Sequence, residues 1–264
     1  MNNDIKKIIE AFDFNQVKND KNKKLSQSII DVIEDPHYAQ VGNYLYRDED
    51  GKYTLREIDI PWGICVIEAK NTPDDKARFM GLKNATCEPI IGMSRSTYST
   101  KGLCVFGGNQ DIFNEYYVDY FNPESSWNGA EISQAIYNAG RIDKKVKGIS
   151  YDAVNFCKEY DVHRTEKNWM KAPETGWYCP AYSELWKSTT PIINYIKEHP
   201  DDPRLEELNF IFNKFYIYGI WSCSMFKKEG TFGYYIAGHR MQGFQKKVGW
   251  QREAAFVALP FISF

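Results

Sequence analysis

The 264-residue chain predicts an α+β fold. Strand-like runs gather at its two ends, from residue 37 and again from 216, and helical periods lie between them. Strands and helices that do not alternate argue against a doubly wound parallel sheet. Aromatic residues make up 16% of the chain, with 18 tyrosines, and this suits pleated sheet better than a plain helical bundle.

In chain order, residues 1–35 predict a helical arm. Ile5, Ile8, Ile9 and Phe12 recur at helical spacing, as do Leu25, Ile29, Ile30 and Ile33. The charged run KNDKNKK between them reads as a solvated linker, since no aromatic interleaves with its lysines. Asp35-Pro36 ends the arm. QVGNYLYRDEDGKYTLREI forms two alternating runs around Asp50-Gly51, a hairpin signal. PWGICVIEA is an apolar run of strand length, suited to a central strand. KGLCVFGG reads as another strand, and residues 109–128 as irregular.

Helices follow. Glu131–Ala139 places Ile132, Ala135 and Ile136 on one face. Ser150 can cap a helix through YDAVNFCKEY, with Val154 and Cys157 inward. In GWYCPAYSEL, Pro180 stands where a helix begins. Glu184 lies three residues after Ala181, the N3 place of a capping box whose hydroxyl partner is missing. Ala181→Ser should therefore stabilise by about 1 kcal/mol. Thr190-Pro191 and Asp202-Pro203 each read as a cap followed by proline at N1. YIYGIWS, TFGYYIAG and EAAFVALPFISF close the chain as strands.

Composition excludes several functions. With 33 basic and 35 acidic side chains the net charge is −2, no footprint for nucleic acid. No run approaches the roughly 18–20 apolar residues of a membrane span, so no insertion is expected. The opening residues carry no apolar h-region, so no export signal is expected. Cysteines 65, 87, 104, 157, 179 and 223 form no close pair in sequence, so reduced thiols without metal are expected. His37, His163, His199 and His239 sit in no catalytic context, which predicts a protein that is not an enzyme and needs no cofactor.

Four pieces in order, AVNFC (153–157), GWYCPAYSEL (176–185), WSCS (221–224) and REAAFVAL (252–259), carry a resemblance. They resemble the C-type-lectin-like fold in its bacterial and phage form, shared by formylglycine-generating-enzyme-like domains and retroelement-diversified variable proteins. Val41-Gly42, Tyr44, Tyr46, Gly63–Ile67 and Ala77–Leu82 resemble a module found in proteins of Bacteroidetes and their phages, crAss-like phages included. The resemblance implies twisted antiparallel strands with flanking helices and long irregular loops, with residues 36–264 as one lectin-like domain behind the docking arm 1–35. It implies a bacteriophage virion protein, a tail or head appendage assembled in the bacterial host cytoplasm. Other virion proteins and further copies of the chain would be its partners, with a host surface glycan or protein as a possible receptor. The alternative is a free carbohydrate- or protein-binding adhesion module.

The resemblance also places a recognition surface in the late strands, at Trp221, Tyr234, Tyr235, His239, Arg240, Gln242 and Trp250. The docking stripe is Ile5, Ile8, Ile9 and Phe12. Three departures stand out. Only Cys223 follows residue 179, so the late cysteine pair of formylglycine-generating enzymes is missing. NPESSWNG only glances at the calcium-ligand pattern of C-type lectins. Cys179 takes the family's leucine position, which makes it a packing residue.

Overall fold

The computed structural model describes residues 28, 30–58, 60–82, 117–118, 125–147, 152–160, 176–214, 219–226, 232–239, 243–251 and 257–264. The fold mixes helices with largely antiparallel sheet. The chain divides into two compact units: one ends at Phe79 and takes in Phe264, the other runs from Met80 to Ser263.

The first unit is built on the predicted hairpin. Strand β1 (Tyr44–Arg47) pairs antiparallel with β2 (Tyr53–Thr54), Tyr46 opposite Thr54. Gly51 turns the chain at φ 83°, and its N–H donates to the Asp48 carbonyl at 3.0 Å. Glycine reaches that φ without steric cost. On the other side β1 pairs with β3 (Gly63–Ile67), all five of whose residues are buried, as the continuous apolar run predicts. Strand β4 (Arg78–Gly81) follows β3 in the sheet. It was not foreseen as a strand, because Arg78 interrupts the apolar pattern.

The burial of Arg78 has a local cause. Its guanidinium holds both oxygens of Asp74, at 2.9 and 3.0 Å, and donates to the Lys76 carbonyl at 2.9 Å. Phe264 closes the unit through reciprocal backbone bonds with Ala77 and edge contacts with Phe79 and Tyr53. Asp35 caps a short 3-10 turn at Pro36–Tyr38, its carboxylate accepting from the His37 N–H. Residues 30–34 are helical, and the Glu34 carbonyl accepts from Leu55 N–H at 2.8 Å and Thr54 Oγ1 at 3.2 Å. The end of the predicted arm is thus bonded to the hairpin. Ile5, Ile8, Ile9 and Phe12 lie outside the described residues, as does KGLCVFGG.

In the second unit, β5 (Tyr117–Val118) pairs parallel with β6 (Gly219–Phe226), which pairs antiparallel with β7 (Phe232–His239), and that with β8 (Gly243–Gln251). Strand β8 was not foreseen: Lys246 and Lys247 break the alternation that marks a half-buried strand. Strand β9 (Phe261–Ser263) ends the chain's sheet structure, and Tyr178 bridges to Phe261 with two backbone bonds of 2.8 Å.

Helix α1 (Gly129–Lys147) buries Ile132, Ser133 and Ile136, leaving Ala135 half-buried. Helix α2 (Asp152–Lys158) buries Val154 and Cys157 as predicted, and its proposed cap Ser150 lies outside the described residues. Helix α3 runs unbroken over Tyr182–Glu198, so Thr190-Pro191 is not the helix start that the sequence suggested. The missing proline N–H falls opposite the carbonyl of Lys187, an exposed position where water can serve it. Asp202 does cap, accepting from Arg204 N–H at 3.0 Å. It opens a 3-10 turn (Pro203–Leu205) that passes into α4 (Glu206–Asn209) and then a π-turn (Phe210–Lys214).

Candidate recognition surface and the motif junction

Two of the four resemblance motifs, GWYCPAYSEL and WSCS, meet at the N-terminus of α3. The first helical N–H groups have no partner inside their own helix and need one from elsewhere. Here each of the first three comes from a different source. Glu184 folds back so that Oε2 accepts from Ala181 N–H at 2.8 Å, while Oε1 accepts from Tyr178 OH at 3.0 Å. Tyr182 N–H donates to Ser224 Oγ at 2.8 Å, and Ser183 N–H to the Ser126 carbonyl at 3.1 Å. The two serine hydroxyls lie 2.6 Å apart. The methyl of Ala181 accepts nothing, so the capping box has only its carboxylate half. Serines from outside the helix serve the next two amides, those of Tyr182 and Ser183.

A bulge in β6 makes this possible. Trp221 pairs with Tyr235 and Met225 with Gly233, so β6 spends four residues where β7 spends two. The extra length carries Ser222, Cys223 and Ser224 out of the ladder. Cys223 N–H then donates to the Pro180 carbonyl at 2.8 Å instead of to a strand neighbour. On the other side Ser133 of α1 bonds both backbone groups of Cys179, accepting from its N–H at 2.9 Å and donating to its carbonyl at 2.8 Å. Gly129 approaches so closely that a Cβ there would meet Ala181 N at 2.5 Å.

Cys179 is fully buried, and burial, with the neighbouring Cys157 thiol next, pushes its thiol well up. A thiol held in that form is no nucleophile at neutral pH. It packs, as its place in the motif suggests. Among the described residues no group of three or more His, Cys, Asp or Glu could hold a metal ion.

The late strands set out the predicted recognition residues in order. Trp221 of β6, Tyr235 of β7 and Lys247 of β8 stand in one cross-strand row, with Tyr234 and Val248 in the adjacent row. Trp250 lies opposite Gly233, beyond a second bulge at Gly249, and His239 opposite Gly243 closes the β7–β8 pairing. Arg240 and Gln242 fall between those strands, outside the described residues. Five of the seven residues are thus brought onto three strands of one four-stranded sheet.

The sequence reading missed a cluster in the first unit. Arg47 places its guanidinium 5.6 Å from the ring centres of both Tyr53 and Trp62, and its Nε donates to the Gly51 carbonyl at 2.9 Å. A guanidinium over aromatic faces within about 6 Å is held by the ring quadrupoles. The arginine at the hairpin turn and the tryptophan before β3 were the available signal.

No known protein family matches the chain, and no curated protein matches it. Among solved structures it is similar to a fimbrial protein from Bacteroides ovatus, with a TM-score of 0.48 and 14% identity over 86% of this chain and 49% of that one. The chain spans about half the length of that protein.

Proposed function

We propose that the protein is a non-enzymatic structural component of a bacteriophage virion, a tail or head appendage whose second unit is a lectin-like recognition or docking module. The observation that carries the reading is the junction at α3. GWYCPAYSEL and WSCS, two of the motifs that carry the lectin-like resemblance, bond to each other through Ser224 and Cys223, and the Tyr178–Phe261 bridge ties the first of them to the last strand. That junction holds β6, which with β7 and β8 carries Trp221, Tyr234, Tyr235, His239 and Trp250. Tyrosine, tryptophan and arginine are the residue types that anchor interfaces. Partners on this reading are other virion proteins, further copies of the chain, and a glycan or protein of the host surface.

Quantitative mass spectrometry of gradient-purified particles from a culture producing the chain tests it. The chain should co-purify with the particles at constant stoichiometry to the capsid protein. Recovery only from the cell envelope or the soluble fraction overturns the virion reading and favours the free adhesion module.

A further inference from the structure

We propose that Cys157 and Cys179 are a disulfide pair, closed when the chain folds in the presence of a disulfide oxidant. One ring contact brings the faces that carry the two thiols together. Tyr160 follows Cys157 by three residues, and the Glu159 N–H to Asn155 carbonyl bond of 2.9 Å carries the helical turn on past α2, so both side chains share one helix face. Trp177 precedes Cys179 by two residues in an extended stretch pinned by the Tyr178–Phe261 bridge, so these also share a face. The Tyr160 and Trp177 rings meet at 4.5 Å. One rung along, the same two faces present Cys157 and Cys179, both fully buried. Ser133 fixes the backbone of Cys179 on either side.

The other described cysteines are turned to backbone carbonyls, Cys65 to Ile67 and Cys223 to Gly129, each at 3.7 Å. Cys179 instead has the buried Cys157 thiol as a neighbour, and burial holds its own thiol protonated. Exchange from the native state is correspondingly slow, and the bond forms as the chain folds. One thiolate attacks oxidised glutathione, forming a mixed disulfide and releasing one glutathione thiolate. The second protein thiolate attacks the mixed disulfide and releases the other. Two electrons pass from the pair to the glutathione disulfide, and the two thiol protons end on the two glutathiones formed.

The test refolds the full chain from denaturant in oxidised and in reduced glutathione, quenches with an alkylating agent and maps the peptides by mass spectrometry. A second arm incubates the folded protein with oxidised glutathione in urea just below its unfolding midpoint, so that the answer does not depend on refolding. A Cys157–Cys179 peptide should dominate in both oxidised arms, vanish on reduction, and persist in Cys65→Ala but not in Cys157→Ala. Closing a loop of about twenty residues should raise the melting temperature by roughly 6–12 °C. If both cysteines are alkylated in native-like protein from the oxidised arms, or if either links to another cysteine, the inference is wrong.

Discussion

Replacing Gly129 by alanine tests the junction at its tightest point. A Cβ there would stand 2.5 Å from Ala181 N and 2.9 Å from Tyr178 Cε2, and would press on Glu184 Oε2. The backbone nitrogen cannot yield without moving the start of α3, so the carboxylate must swing away. That breaks the 2.8 Å bond to Ala181 N–H and the 3.0 Å bond from Tyr178 OH, in a place where Glu184 and Ala181 are both buried. A buried donor left without a partner costs about 1–3 kcal/mol, and overpacking adds about 1–3. Alanine returns about 0.5–1 through its better helix propensity. The net loss is about 2–4 kcal/mol, or roughly 5–12 °C in melting temperature for a chain of this size. Equilibrium urea unfolding with a circular-dichroism readout measures it. In Gly129→Ala/Glu184→Ala the two losses should fall short of additive, because the second change removes what the first displaces. A single substitution that is neutral or stabilising would mean that propensity alone acts at residue 129 and that the junction is looser than described.

Three further outcomes follow from the same geometry. Ser224→Ala should cost about 1–3 kcal/mol by orphaning Tyr182 N–H, while Ala181→Ser should gain less than about 0.5, because Ser126 already serves the Ser183 amide; a melt showing the reverse order would return the cap to residue 181. Burial alone would push the Asp74 carboxyl up, but the hydrogen bonds and charge of Arg78 outweigh it and hold the group below the ordinary carboxylate range. Its contribution is therefore present above the unfolded-state pKa of about 3.9 and lost as pH falls through the lower folded value. Asp74→Asn should destabilise by about 1–2 kcal/mol at pH 7, since Arg78 is buried and Asp74 is half exposed, with the gap to the parent closing as the pH falls below the ordinary carboxylate range; a gap independent of pH would sink this. Arg240→Ala and Trp250→Ala together should lower adsorption of the protein or its particles to host cells by about tenfold or more, with melting unchanged; unchanged adsorption would remove the late strands as the recognition surface.

Much of both units was legible wherever the signal was local. Pro180, Ala181 and Glu184 placed the start of α3 correctly because a capping box is a four-residue pattern. The alternation around Asp50-Gly51 gave the hairpin, and the apolar run 63–67 gave the buried strand. Thr190-Pro191 misled because it is the same local pattern on a helix that was already running. Strand β8 and the cap supplied by Ser126 and Ser224 were illegible for a different reason. A strand carrying Lys246 and Lys247 is defined by its partner β7, and a hydroxyl arriving from a distant bulge leaves no mark beside the amide it satisfies. The facing of Cys157 and Cys179 was likewise hidden. Their spacing matches no motif, and only the Tyr160–Trp177 contact shows that the two faces meet.

The borrowed cap on α3 has a kinetic side. Ser126 and Ser224 are 98 positions apart, and Ser224 reaches Tyr182 across 42. A helix capped by its own neighbour can begin as soon as its residues are free. This one can form its first turn in native geometry only after β6 has bulged and the chain has closed loops of that length. Loop closure must be completed before such contacts reward it, and contacts of long sequence separation are what make a fold slow to form. The junction therefore assembles late. A substitution within it should leave the refolding rate nearly unchanged and shorten the lifetime of the native state, so that what these serines set is how long the molecule, once folded, remains so.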